Sequence, residues 1–140
     1  MKEINEILEE RFEILKATDL SKDDKIDKTN WETKFYECED DYEISMNISV
    51  ISPDLIVSNA AHLTDVGDIN ISKNPISLGT FNSLKNKSLY IYSIASAVSN
   101  EIKYVVNIDL RCNGVKKSFS ASLSLQKGET GRIILQINFK

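Results

Sequence analysis

The stretch from Tyr104 to Leu125 constrains the fold of this chain more than any other. Tyr104, Val106, Ile108, Leu110 and Cys112 alternate strictly with Val105, Asn107, Asp109 and Arg111. Successive side chains of a strand point to opposite faces, so this pattern predicts a strand with one buried face. Asn113-Gly114 follows at once, and this pair best tolerates the positive φ angles of a two-residue type I′ hairpin turn. The return strand carries Val115, Lys117, Phe119, Ala121, Leu123 and Leu125 on one face, against Ser118, Ser120, Ser122 and Ser124 on the other. A second turn, Gln126 to Gly131, leads to Ile133, Leu135, Ile137 and Phe139. The three segments read as consecutive neighbours in an antiparallel meander with one wet face.

The rest of the chain after residue 30 repeats the theme. Trp31, Thr33 and Phe35 oppose Glu32, Lys34 and Tyr36, in a strand expected to end at the acidic turn Glu37-Cys38-Glu39-Asp40-Asp41. Ile44, Met46, Ile48 and Val50 alternate with Ser45, Asn47 and Ser49, and Pro53 closes that strand because it has no N–H for a ladder. Leu55-Ile56-Val57 and a segment near Asp68–Ser72 are further, shorter candidates, and Ser88–Val98 is β-rich with apolar residues on both faces. About seven or eight strands separated by turn signals predict a mainly β fold: an antiparallel two-sheet sandwich, with immunoglobulin-like and small-barrel variants.

The first 30 residues follow a different rule. Ile4, Ile7, Leu8, Phe12 and Leu15 form one stripe of an α-helix, expected from about Glu3 to Thr18. The run from Asp19 to Asn30 is almost wholly polar and reads as a linker. Residues 1–30 are therefore expected to form an amphipathic helix with its linker, and residues 31–140 the β domain. An isolated helix of this length is marginal in water, so its stripe needs a surface. That surface is either the sheet face bearing Tyr90, Tyr92 and Ile94 or a second chain. Packing within the chain is the expectation, because it avoids the entropy of association.

Charge narrows the function. The chain of 140 residues carries a net charge of −4, and fifteen of its 21 acids but only seven of its 17 Lys and Arg precede Ile44. Such an acidic first third repels phosphate, and the later bases form no stripe, which argues against nucleic-acid binding. No apolar run approaches the roughly 18 residues of a membrane helix. The first residues, Met1-Lys2-Glu3-Ile4-Asn5-Glu6, lack the apolar core of an export signal. A cytoplasmic location is expected, with Cys38 and Cys112 as reduced thiols rather than a disulfide.

Catalytic constellations are sparse. His62 is the single histidine, and a nucleophile–base pair would have to use it, with Asp65 or Asp68 as orienting group. One histidine and two distant cysteines do not make a zinc site of ordinary spacing, and no glycine loop leads into a helix to cradle phosphate. An EF-hand reading of Asp19 to Asn30 fails because Asp24 occupies the glycine position and Asn30 the bidentate glutamate position. The remaining ligand candidate is the acidic segment 37–43, which could hold calcium at a sheet end. No cofactor or metal is expected. The leading expectation is a non-enzymatic protein-binding module, such as an immunity, adaptor or assembly protein, whose partner is another protein. Its contact residues are expected among Tyr90, Tyr92, Glu39, Asp40 and Asp41, with calcium or ligand binding by residues 37–43 as the alternative. Assembly with further copies of itself stays open.

Overall fold

The computed structural model describes Glu6 and residues 26–38, 41–51, 55–71, 75–99 and 101–140. Glu6 aside, the expected N-terminal helix and most of its linker lie outside the described residues, as do Glu39 and Asp40. The elements are β1 (Lys28–Tyr36), β2 (Glu43–Ile51), β3 (Leu55–Leu63), β4 (Gly67–Ile69), β5 (Ile76–Thr80), the single helical turn α1 (Phe81–Leu84), β6 (Ser88–Ala97), β7 (Ile102–Cys112), β8 (Val115–Leu125) and β9 (Thr130–Phe139). They build a mainly β chain of two sheets, ordered β1-β9-β6-β3-β4 and β5-β2-β7-β8. Pairing is antiparallel throughout except between β1 and β9, which run parallel. Strand β1 begins at Lys28, inside the polar run read as linker, and β5 with α1 is an addition to the sequence reading.

The hairpin forms as its pattern demands. Asn113 and Gly114 adopt φ of 51° and 78°, the two positive values that define a type I′ turn. Ile108 pairs with Phe119, and Leu110 with Lys117. The third strand of the expected meander goes elsewhere: β9 joins the other sheet, antiparallel to β6 and parallel to β1. Its sequence explains why. Ile133, Ile134 and Leu135 are consecutive and all buried, the signature of a central strand covered on both faces rather than of one with a wet side. The crossing is tight at Gly131, where a Cβ would stand 2.8 Å from Leu125 Cδ2 and 3.0 Å from Leu123 Cδ1. Glycine lets the start of β9 pass against the inner side of β8.

The core lies between the sheets. Ile44, Met46, Val106, Ile108 and Leu110 from one sheet join Leu89, Ile91, Ile133, Leu135 and Ile137 from the other in a single buried cluster. Tyr104, fully buried on β7, reaches across and donates its hydroxyl hydrogen bond to Ser93 Oγ of β6. At one rim the edge strands meet through side chains: Lys28 Nζ donates to Ser124 O at 2.8 Å and Asn30 Nδ2 to Ser122 O at 2.9 Å. These bonds cover part of the open β8 edge, which would otherwise offer bare backbone groups for pairing.

On β1 the two opposed sets separate in a way that alternation alone leaves open. Trp31 and Phe35 face outward, Phe35 at 56% exposure, whereas Tyr36 is buried. The polar set Asn30, Glu32 and Lys34 sits on the inner side, where Glu32 accepts a 3.0 Å bond from Asn30 Nδ2 and pairs with Lys34 at 3.6 Å. An edge strand at the rim of the core can satisfy long polar side chains in water, so alternation alone does not say which set goes in.

Two outcomes test this arrangement. Ile108→Ala should lower unfolding free energy by about 2–5 kcal/mol in urea titration, the usual cost of emptying a tightly packed core site. Burial raises the Tyr104 pKa well above the ordinary tyrosine value. The folded state therefore holds this proton more tightly than the unfolded chain. The resulting stability is complete below about pH 10 and declines as pH rises beyond it. Stability measured between pH 8 and pH 11 should fall above pH 10, and Tyr104→Phe should flatten that fall.

Candidate functional site

At one end the two sheets separate and the core opens to solvent. Tyr36 is the wall between core and opening. The parallel β1–β9 register sets Tyr36 beside Phe139, and its ring meets Phe139 edge-on at 5.9 Å and Phe81 and Phe119 at 6.3 Å each. Phe81 is brought there by α1, whose start is held by two bonds: Phe81 N–H to Tyr42 O at 2.9 Å and Asn82 N–H to Asp41 Oδ1 at 2.9 Å. Burial raises the pKa of the Tyr36 phenol above its ordinary value, so the ring stays neutral through the physiological range.

Just beyond Tyr36, Cys38 is bonded to Cys112, 74 residues away. This corrects the expectation of two reduced thiols. The reason is topological: β1 carries Cys38 past the end of one sheet, while Cys112 ends β7 on the inward face of the other. The crosslink ties the sheets together where the core opens. A disulfide closing so long a loop typically contributes about 2–5 kcal/mol.

The opening is a cleft of about 310 Å³ lined by Tyr36, Glu37, Cys38, Tyr42, Cys112, Asn113, Val115 and Lys117. Two of its apolar members are strongly exposed, Tyr42 at 39% and Val115 at 65%. Charges of both signs stand on it: Glu37, and Lys117, whose Nζ lies 5.8 Å from the centre of the Tyr36 ring. A cation at that distance is attracted by the ring face. An apolar-walled recess with a few polar groups at its lip suits the insertion of an apolar or aromatic group. At about 310 Å³ it stands at the small end of ligand-sized pockets.

The residues nominated from the sequence fall in different places. Tyr90 and Tyr92 are 8% and 0% exposed and form a second buried cluster with Ile94 and Ile134 on the outer face of the five-stranded sheet. Asp41 adjoins Tyr42 but is occupied by the Asn82 amide. Glu43 accepts from the Ser77 hydroxyl. Asp41 and Glu43 are thus turned to separate structural partners while Glu37 stands at the cleft, and among the described residues no group of three or more His, Cys, Asp or Glu is placed to hold a metal ion. His62, on β3, lies 3.4 Å from Asp68 across the β3–β4 pair.

The cleft itself was missed, although a signal for it stands in the sequence. Lys117 occupies the apolar register of β8 between Val115 and Phe119, and a lysine there marks where the inward face meets water. Comparison with protein-family models, with curated proteins and with solved structures finds no match.

The crosslink can be tested directly. Replacing both cysteines, Cys38→Ser with Cys112→Ser, should leave a folded chain whose unfolding free energy is lower by about 2–5 kcal/mol, read from denaturant midpoints.

Proposed function

We propose that this chain is a non-enzymatic protein-binding module, built as a two-sheet sandwich, that recognises its partner through the cleft at the disulfide-linked end. One observation carries the reading: Tyr42 and Val115 are held exposed beside a recess whose floor is fixed by the Tyr36 aromatic cluster and the Cys38–Cys112 bond. Exposed apolar side chains around a pre-formed pocket, bordered by charges, are the arrangement found at the centre of recognition surfaces. A rigid floor keeps the ordering cost of binding low. The partner group that fits is an apolar or aromatic side chain carried on a segment with charges complementary to Glu37 and Lys117.

The sandwich reading is supported by the single core shared by two sheets and by their separate edge strands. The disulfide favours an oxidising compartment over the cytoplasm expected from the sequence, because cytosolic thiols are kept reduced. The alternative of calcium binding by segment 37–43 receives no support from Asp41 and Glu43, whose carboxylates are engaged by Asn82 and Ser77.

Affinity capture from the native cell tests the proposal when run with three versions of the chain. The unaltered chain and Val66→Asp, a change at an exposed site outside the cleft, should retain the same partner. Tyr42→Ala with Val115→Asp should lose it, with an affinity at least about 30-fold weaker by calorimetry on the purified pair, as expected for removal of a central contact. Equal capture by all three versions would contradict the cleft as the recognition site.

A further inference from the structure

The five-stranded sheet presents a face to the side away from the core, and the centre of that face is dry. Ile134, Tyr92 and Ala60 stand side by side across β9, β6 and β3, and Gln136, Tyr90 and His62 form the next row. All lie on the outer side, because Leu135, Ile91 and Ala61, the alternate positions, face the core. Yet Tyr92 and Ile94 have no exposed surface, and Ile134 has 3%. Ile26 and Ala60 are the partly buried apolar residues that pack against this cluster, and Trp31 flanks Tyr90 at its edge. Ile26 and Ala60 are too small to remove Tyr92, Ile94 and Ile134 from water.

We propose that residues 1–25 of the same chain lie across this face and seat Ile4, Ile7, Leu8, Phe12 and Leu15 on Tyr92, Ile94 and Ile134. Three observations select this occupant. The chain enters β1 from this very cluster: Ile26 packs in it, and Asp27 is fixed by its N–H to Thr130 O at 2.7 Å and by its carboxylate accepting from Thr130 N–H at 2.8 Å. The preceding residues carry a five-member apolar stripe, with Glu6, Glu9, Glu10 and Glu13 on the other faces, the pattern of a helix with one face to bury. The sizes agree as well. Sixteen helical residues span about 24 Å, and five strands at about 4.8 Å spacing are roughly 19 Å across. The eleven residues from Leu15 to Ile26 reach up to about 40 Å when extended, which is ample. The outer face is thus an internal docking site for an amphipathic helix. The inference stands apart from the cleft, which neither the stripe nor Ile26 touches in this arrangement.

Trp31 supplies the readout. It is the single tryptophan of the chain, it packs edge-on against Tyr90 at 6.3 Å, and its Nε1 donates to Gln136 Oε1 at 2.9 Å. The test uses the full chain with a photo-reactive p-benzoylphenylalanine at position 12, a conservative replacement for Phe12. Irradiation followed by peptide mapping should give an adduct within one chain, on peptides containing Tyr90–Ile94 or Ile134. An adduct between two chains would show a second copy on this face and overturn the proposal. An adduct elsewhere, or none, would overturn it equally. In parallel, Phe12→Asp should shift Trp31 emission to the red by several nanometres and raise its quenching by acrylamide, while Glu9→Lys, off the stripe, should do neither. Unchanged emission in Phe12→Asp would also overturn the proposal. The photoadduct forms on the folded chain, so it decides the matter even where Phe12→Asp unfolds.

Discussion

The structure depends on the β6–β9 pair being buried on both faces. Their inward residues, Leu89, Ile91, Ile133 and Leu135, meet the second sheet, and their outward residues, Tyr90, Tyr92, Ile94 and Ile134, are out of water as well. Each fully buried side chain of this kind favours the folded state by about 1.5–3 kcal/mol relative to exposure. Such a pair can occupy only the middle of a sheet, so β9 must leave the hairpin that precedes it and cross over. That crossing in turn sets β1 parallel to β9, brings Tyr36 to Phe139, and delivers Cys38 to Cys112. The cleft follows from the pairing of two strands rather than from any local motif.

The two sheets are consequently unlike. The four-stranded sheet has one apolar face and one covered with serine, asparagine and charges, where Asp109 accepts from Ser118 at 2.5 Å and Asn107 at 3.1 Å. Those bonds, the one from Ser118 foremost, hold its carboxyl below the usual range although it faces solvent. The five-stranded sheet has no such wet centre. At the disulfide end Tyr42 and Val115 stand exposed beside a pre-formed recess, whereas the other exposed large apolar side chains among the described residues, Trp31, Phe35, Val66 and Val98, do not line it. Recognition by Tyr42 and Val115 is proposed on this division of the surface.

Much of the fold was legible in the sequence, for reasons that also explain what was not. Strict alternation with Asn113-Gly114 specifies the β7–β8 hairpin, since a one-residue slip would expose every inward residue. The apolar faces of β2 and the two-sided character of β6 were equally plain. Local pattern does not say which strands become neighbours, however, and the expected meander failed at β9 for that reason. The run Ile133-Ile134-Leu135 was the correct warning. At β1 the polarity was ambiguous, because a rim strand can turn tryptophan outward and lysine inward. The cleft was the least legible feature: Tyr36, Cys38, Tyr42, Cys112 and Lys117 come from two segments, 36–42 and 112–117, far apart in the sequence, and only the lysine in the apolar register of β8 hints at an opening.

The most direct test of this division of the surface is tyrosine nitration of the native chain, mapped residue by residue. The chain has five tyrosines, and they sample every environment that matters. Tyr42, exposed at the cleft, should react first, while Tyr90, Tyr92 and Tyr104 should be protected until the chain unfolds. Nitration of Tyr90 and Tyr92 as fast as Tyr42 would mean that the outer face is open to water, and would contradict the structure on which the cleft is proposed as the binding surface.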